Sequence, residues 1–263
     1  MTDRLSRAER RTLQREDADI LPKPLHMGTN PRFAAAHIRH VVKLLRAPQS
    51  KSPCSEAIAH VTGLFDRTVP AQANAMIACR KGCAHCCTQM VVLTLPEAFF
   101  VAAQIRHKKE TIAAIIAAAA NIGALSLDER LKAKAFCPLL DNALCSIYAA
   151  RPLGCHAFVS VNLEACIAAF VRDEPPNLTM PNDTVNVLYA VRMLLTAALR
   201  LAGLDHGHYE MLSLLAVILT TENAEARWLA GENIMAAVKP GPPAPPQFEQ
   251  AITQMVAHVA PTV

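Results

Sequence analysis

Apolar residues recur at helical spacing along most of the chain. Between 32 and 46 they include Val41, Leu44 and Leu45, and between 184 and 202 they form one stripe. Steps of three and four residues place such positions on one face of an α-helix. We therefore predict helices over 32–46, 55–67, 71–78, 94–108, 111–122, 126–134, 162–172, 184–202, 209–221 and 223–238.

Three segments carry the sequence of a helix N-terminal capping box. In this motif a Ser or Thr caps the helix, and a Glu three residues later reaches back to the cap residue. The pairs are Ser6 with Glu9, Thr94 with Glu97, and Ser126 with Glu129. They support a short polar N-terminal helix as well as the helices predicted to begin near 94 and 126.

A different pattern occupies residues 137–145. The sequence CPLLDNALC favours two short strands around an Asp-Asn turn. Aromatic residues make up only 5% of the chain, and hydrophobic residues 52%, which suits helices packed through small and aliphatic side chains. The predicted fold class is mainly α, a helical domain with a small cysteine-rich irregular region and one short β-hairpin.

Charge and proline content predict the domain boundaries. Residues 1–50 hold ten Lys and Arg against five Asp and Glu, so 1–31 is interpreted as a basic N-terminal extension. Residues 32–239 are predicted to form a single helical domain that contains a cysteine-rich module at 79–166. Residues 240–263 form a proline-rich linker followed by a short C-terminal helix.

Several functional classes lack support in the sequence. No two glycines form a G-x-G, and there is no GxxxxGK[ST] motif, so dinucleotide-binding and P-loop folds are not indicated. The charged N-terminus has no hydrophobic region of the kind found in secretory signals. The apolar segment 184–202 is interrupted by Arg192 and Arg200. We therefore expect a cytoplasmic protein with no membrane partner.

Nine cysteines are the strongest chemical signal in the chain. Cys54 stands alone, and we interpret it as a small core hydrophobe. The remaining eight are clustered, and structural disulfides are disfavoured in the cytoplasm. Thiolates at close spacing bind zinc or iron, including iron–sulfur clusters, and the spacing alone does not decide between them. The predicted metal ligands are Cys79, Cys83, Cys86, Cys87, Cys137, Cys145, Cys155 and Cys166.

The cysteine-rich region resembles a known family. The residues that carry the resemblance are a cluster ending in a CC pair, a Thr-x-x-Glu helix start, and a C-P…C-x-I-Y-x-x-R-P-x-x-C block. In this chain they are Cys79, Cys83, Cys86, Cys87, Thr94, Glu97, Cys137, Pro138, Cys145, Ile147, Tyr148, Arg151, Pro152 and Cys155. This arrangement resembles the YkgJ-like CxxCxxCC family of zinc- or iron-chelating domains.

The resemblance implies a bound metal and little specific chemistry. One departure is that the chain begins with Cys79-x3-Cys83, where the family name implies C-x2-C. A flagellin lysine-methylating enzyme carries a similar cysteine region, so an iron–sulfur-dependent enzyme of redox or methyl-transfer chemistry is the alternative function. The sequence names no catalytic residue, and whether the protein is an enzyme stays open.

Other hypotheses for the same residues receive less support. The Cys79-x3-Cys83-x2-Cys86 spacing also occurs in radical-SAM enzymes, but those begin a βα barrel, for which this chain predicts too few strands. His206 and His208, with Glu210, are a weak candidate for a second metal site. The basic N-terminus lacks the interleaved aromatic residues typical of nucleic-acid binding, which we therefore do not expect.

Overall fold

The computed structural model describes residues 5–25, 31–47, 49–122, 125–172, 174, 177–238, 240–241 and 244–263. These ranges contain the helices α1 (Arg7–Ile20), α2 (Pro31–Leu45), α3 (Pro53–Thr68), α4 (Ala71–Ala75), α5 (Leu95–Ile105), α6 (Lys109–Ile122), α7 (Leu127–Ala133), α8 (Leu153–Ala157), α9 (Leu163–Phe170), α10 (Asn182–Ala202), α11 (Met211–Thr220), α12 (Ala224–Leu229) and α13 (Pro246–Val259). They also contain short 3-10 helices at His85–Thr88, Tyr148–Ala150 and Ala260–Thr262. The strands are β1 (Val92–Leu93), β2 (Leu140–Asp141), β3 (Leu144–Cys145) and β4 (Tyr209–Glu210).

The mainly helical fold class predicted from the sequence is confirmed. The predicted hairpin is the antiparallel pair β2–β3, in which Leu140 is paired with Cys145. A second antiparallel pair, β1–β4, joins segments far apart in sequence and was not predicted. All three capping boxes are present.

Two predicted helices are shorter than expected. The helix predicted over 223–238 ends at Leu229, because Gly231 adopts a left-handed backbone conformation with φ of +88°. The helix predicted over 71–78 ends at Ala75. Its last turn tightens through the bond from the Met76 amide to the Ala73 carbonyl, and the Ala78 amide then donates to Ser160 outside the helix.

The described chain divides into two compact units. Unit 1 comprises Met1–Pro70, Asn186–His206 and Pro242–Val263, and unit 2 comprises Ala71–Val185 and Gly207–Gly241. The three-part organisation predicted from charge and proline content stays a prediction. All eight clustered cysteines lie in unit 2, whereas Cys54 lies in unit 1.

Unit 1 is built around α2, which packs against α1, α3 and α13. The inner face of α2 includes Ile38 and Val41, both fully buried, and Cys54 of α3 is fully buried as well. The burial of Cys54 agrees with its interpretation as a core residue. On the outer side, Arg39 donates two hydrogen bonds to the Asp17 carboxylate, which attaches α1 to α2.

Helix α10 is the longest helix described, and its buried stripe lies in unit 1. Val191, Leu194 and Ala198 have no exposed surface. By length and composition alone α10 would also be able to cross a membrane, although 44% of its most apolar window is buried within the protein. A mostly apolar helix of this kind is also usual in the core of a soluble protein, so the expected cytoplasmic location stays a prediction.

Unit 2 has α11 at its centre, packed against α5 and α6. The strand pair β1–β4 precedes α5 and α11 in the chain, so it holds the beginnings of these two helices side by side. Glu210 ends β4 and caps α11, because its carboxylate accepts hydrogen bonds from the Ser213 amide and hydroxyl. This scaffold supports the cysteine-rich segments.

Candidate metal centre

The first four cysteines lie in a loop that reverses direction twice. The Cys83 amide donates to the Arg80 carbonyl at 2.9 Å, with Gly82 at a φ of +85° inside that turn. The Cys87 amide donates to the Ala84 carbonyl at 3.0 Å at the start of the 3-10 helix. The two turns fold the backbone that carries these cysteines back on itself within a few residues.

Cys137 and Cys145 lie in the segment of the β2–β3 hairpin, which a backbone hydrogen bond joins to the CC pair. The Cys137 amide donates to the Cys87 carbonyl at 2.8 Å, which ties the start of the hairpin segment to the first loop. Asn142 and Ala143 both adopt left-handed conformations and close the two-residue turn. Cys145 pairs with Leu140 across the hairpin and so returns toward Cys137.

The last two cysteines approach from short helices. Cys155 lies in α8 and Cys166 in α9, and α9 packs against the 3-10 helix that contains the CC pair. The Ser160 amide donates to the Cys79 sulfur at 3.4 Å, and the Ser160 carbonyl accepts from the Ala78 amide at 2.8 Å. Ser160 therefore fixes the first cysteine beside the segment that leads to the last one.

The pKa shifts of Cys83 and Cys166 point to a first group of cysteines, which also includes Cys79. Burial raises the pKa of the Cys83 thiol, and the nearby Cys79 and Cys166 raise it further. Burial likewise raises the pKa of Cys166, with an additional contribution from Cys79. We call these three residues the first cysteine set.

A second cysteine set consists of Cys137, Cys145 and Cys155. The pKa of the Cys137 thiol is raised to about 11, mainly by burial and in part by the neighbouring Cys145. Burial also raises the pKa of Cys155 strongly, and both other members of the set contribute. In such a group, each thiol that loses its proton makes it harder for the next thiol to do so. A bound divalent cation removes this repulsion between thiolates.

Cys86 lies within electrostatic range of both sets. It contributes to the raised pKa values of Cys83 and Cys166 on one side and of Cys155 on the other. A hydrogen bond with the adjacent Cys87 raises the pKa of Cys86 itself, and burial raises it further. Cys86 is therefore a candidate ligand for either set.

Thiol chemistry fits a zinc or iron site. All nine cysteines are free, and the eight clustered ones gather in one region of unit 2. Among the described residues, no three His, Cys, Asp or Glu side chains are already close enough to coordinate one ion together. Metal binding therefore requires side-chain adjustment within the two sets, and the assignment of all eight residues as ligands stays a prediction.

Two arginines place positive charge beside these thiols. Arg151 lowers the pKa values of Cys86 and Cys155 against the larger effects that raise them, and its guanidinium stacks on the Tyr148 ring at 3.8 Å. Arg130 of α7 does the same for Cys137 and is only 2% exposed. The burial of Arg130 was not predicted from the sequence, because the charged composition of α7 is typical of a surface helix.

The candidate second metal site is not formed by the residues that the structure describes. The Glu210 carboxylate caps α11, and the His206 ring lies 3.4 Å from the Leu204 carbonyl oxygen. No group of three potential metal ligands is found in these ranges. Within unit 2, the His208 carbonyl accepts a 2.6 Å hydrogen bond from the Gly241 amide.

Comparison with known proteins agrees with this description of the site. Residues 78–174 match the model of the CxxCxxCC family, whose description is "Putative zinc- or iron-chelating domain". The predicted family resemblance is therefore confirmed for this segment, which contains all eight clustered cysteines. The match supports metal binding, with zinc or iron as the metal. No curated protein and no solved structure matches the chain.

Proposed function

We propose that this protein binds zinc or iron through the thiolates of its two cysteine sets, with the CC pair completing them. The observation that carries the proposal is the convergence of cysteines from distant segments, through the Cys137–Cys87 backbone bond and the Ser160–Cys79 contact. Thiolates are the ligands that zinc and iron–sulfur centres prefer. A metal held in this way would link the first loop to the hairpin, α8 and α9.

The proposed metal binding also implies a location for the protein in the cell. The thiols must be reduced to act as ligands, and all nine cysteines are free in the structure. The cytoplasm keeps thiols reduced, so the proposal includes a cytoplasmic location. Because the thiols lose protons on binding, we expect the affinity for metal to fall as the pH falls.

An iron–sulfur enzyme is the second candidate. It rests on the same thiolates, because cysteine thiolates hold iron–sulfur clusters as well as zinc. Redox or methyl-transfer chemistry would then follow by analogy with the flagellin lysine-methylating enzyme. Acid-labile sulfide and visible absorbance distinguish this candidate from a colourless zinc protein.

The test is metal analysis of the full chain purified without oxygen. We expect wild-type protein to hold zinc or iron, and Cys83→Ser and Cys155→Ser each to lose part of it, because the two residues belong to different sets. Cys54→Ala is the matched control, since Cys54 is fully buried in unit 1 and should leave the metal content unchanged. Wild-type protein without metal, or the same loss in all three variants, would contradict the proposal.

A further inference from the structure

Ser160 is a buried residue that contacts the first cysteine set from a distant part of the chain. It is 2% exposed and lies between α8 and α9. Its amide donates to the Cys79 sulfur at 3.4 Å, across 81 positions of sequence, and its carbonyl accepts from the Ala78 amide at 2.8 Å. These two bonds run in opposite directions, so they hold both the backbone and the side chain at the first cysteine.

Ser160 is also tied to Cys166, the last cysteine of the same set. Its hydroxyl donates to the Asn162 carbonyl at 3.0 Å, and the Cys166 amide donates to that same carbonyl at 3.4 Å. The Asn162 side chain accepts from the Ala165 amide at 3.1 Å, which caps the start of α9. The Ser160 hydroxyl is in addition a hydrogen-bond partner of the Cys166 thiol. One residue therefore joins the first and last members of the first cysteine set.

The bond from the Ser160 amide favours a charged form of the Cys79 sulfur. A buried backbone N–H needs an acceptor, and for Ser160 that acceptor is this sulfur. The sulfur of a neutral thiol is a weak acceptor, whereas an ionised acceptor forms a hydrogen bond about twice as strong. A thiolate bound to metal would therefore satisfy this amide better than a free thiol does.

The same contact accounts for the position of Cys79, whose spacing departs from the family pattern. Three residues separate Cys79 from Cys83, where the family name implies two. The turn closed by the Arg80 carbonyl and the Cys83 amide begins only after Cys79, so it does not place this sulfur. Because Ser160 holds the sulfur from a different segment, the position of Cys79 does not depend on that spacing alone.

We propose that Ser160 is a positioning residue that holds Cys79 and Cys166 as ligands of one metal centre. The inference rests on the proposed metal-binding function, and it adds which distant cysteines share an ion or cluster. The Ser160 amide donates to one ligand and its side chain bonds to the other. Hydrogen bonds of this kind orient metal ligands and raise the affinity of the site for metal.

The sharing of one centre is tested by metal analysis of the full chain purified without oxygen. We expect Cys79→Ala and Cys166→Ala to lose the same share of the metal, and the double variant to lose no more than either single variant. A larger loss in the double variant would place the two residues on different centres and overturn the inference. A loss in only one of the single variants, or in neither, would overturn it as well.

The role of Ser160 is tested by substituting its side chain. Ser160→Ala removes the hydroxyl, so we expect about a tenfold to hundredfold weaker affinity for zinc in a chelator competition. Ser160→Thr keeps the hydroxyl and should restore most of the affinity. In the cobalt-loaded protein, Ser160→Ala should move the thiolate-to-metal absorbance band to longer wavelength, because a thiolate that has lost a hydrogen bond gives up an electron more easily.

Ser213→Ala is the matched control. The Ser213 hydroxyl, also in unit 2, donates to the Glu210 carboxylate at 2.9 Å at the start of α11, and its loss should leave the affinity and the band unchanged. Unchanged affinity in Ser160→Ala would overturn the inference. So would weaker affinity with an unmoved band, which is the result of a merely structural role.

Two further outcomes are kept apart by the design. If Ser160→Ala does not fold, the metal content of the cysteine variants still decides, because those variants retain Ser160. Wild-type protein that binds no zinc or iron would overturn the proposed function together with the inference. Metal-loaded wild type with a larger loss in the double cysteine variant would overturn the inference alone.

Discussion

At the scale of single residues, the Glu97 side chain connects the start of α5 to the start of α8. The side chain is 1% exposed, and its Oε2 accepts hydrogen bonds from the Thr94 amide and hydroxyl, each at 2.9 Å. Its Oε1 accepts from the Leu153 amide at 3.0 Å, at the start of α8. The sequence predicts the capping half of this arrangement, but the bond to Leu153 depends on tertiary packing.

We expect Glu97→Gln to lower the free energy of unfolding by about 1–3 kcal/mol. Both oxygens of Glu97 accept hydrogen bonds, so the NH2 group of glutamine must face a group that also donates. Glu129→Gln is the matched control. It changes the same position of an exposed capping box, where glutamine is tolerated and water can adjust, so its effect should stay below about 0.5 kcal/mol. Urea denaturation of both variants measures the difference, and equal effects would contradict the role assigned to Glu97.

At the scale of elements, the contact between α2 and α3 contains a cluster of histidines. His37 Nδ1 lies 3.0 Å from His60 Nε2, and the His40 ring centroid lies 4.5 Å from that of His60. The pKa of His37 is lowered to about 4 and that of His60 to about 3, mainly by burial and in part by the neighbouring Arg67 and His40. Burial lowers the pKa of His40 as well.

Acid should therefore destabilise unit 1. The ordinary histidine pKa of 6.5 applies to the unfolded chain, so below it the unfolded chain binds protons that folded His37 and His60 do not accept until about pH 4 and 3. The contribution of these histidines to the free energy of unfolding is therefore fully present above about pH 6.5. It is lost as the pH falls, by up to about 1.4 kcal/mol per pH unit for each histidine. Hydrogen exchange in α2 and α3 across this range measures the effect.

Substitution separates this effect from general acid instability. His60→Gln should flatten the pH dependence of exchange in α2 and α3, because one of the two depressed pKa values is removed. His107→Gln changes an exposed histidine of unit 2 and should leave the pH dependence as in wild type. An unaltered slope in His60→Gln would show that the buried pair does not govern the acid response.

At the scale of the whole molecule, metal should stabilise one unit and not the other. The cysteine sets lie in unit 2, and free metal at about 1,000 times its dissociation constant stabilises a folded site by about 4 kcal/mol. Removing the metal with a chelator should speed hydrogen exchange in the first cysteine loop and in the hairpin, α8 and α9. Helices α2 and α3 should exchange at the same rate with and without metal. Uniform change in both units, or none in either, would contradict this expectation.

The parts of this structure that could be predicted from sequence are those set by local chemistry. Helical spacing, capping boxes and turn residues act within a few residues, so they predicted the helices and the hairpin. The turn itself lies one residue later than the predicted Asp-Asn turn, at Asn142 and Ala143. The helix predicted over 223–238 is too long because the left-handed conformation of Gly231 ends it, although the apolar pattern continues. The β1–β4 pair, the Glu97–Leu153 bond and the buried position of Arg130 depend on segments that meet only after folding.

The order of cysteines along the chain has a consequence for synthesis of the protein. A ribosome releases Cys79, Cys83, Cys86 and Cys87 long before Cys166, the last member of the first cysteine set. Helix α11, against which α5 and α6 pack, emerges later still. During translation the nascent chain therefore displays four closely spaced thiols without their partners or their scaffold. We therefore expect metal to fill complete sites only after this region has been translated, and the newborn segment to depend until then on the reductants around it.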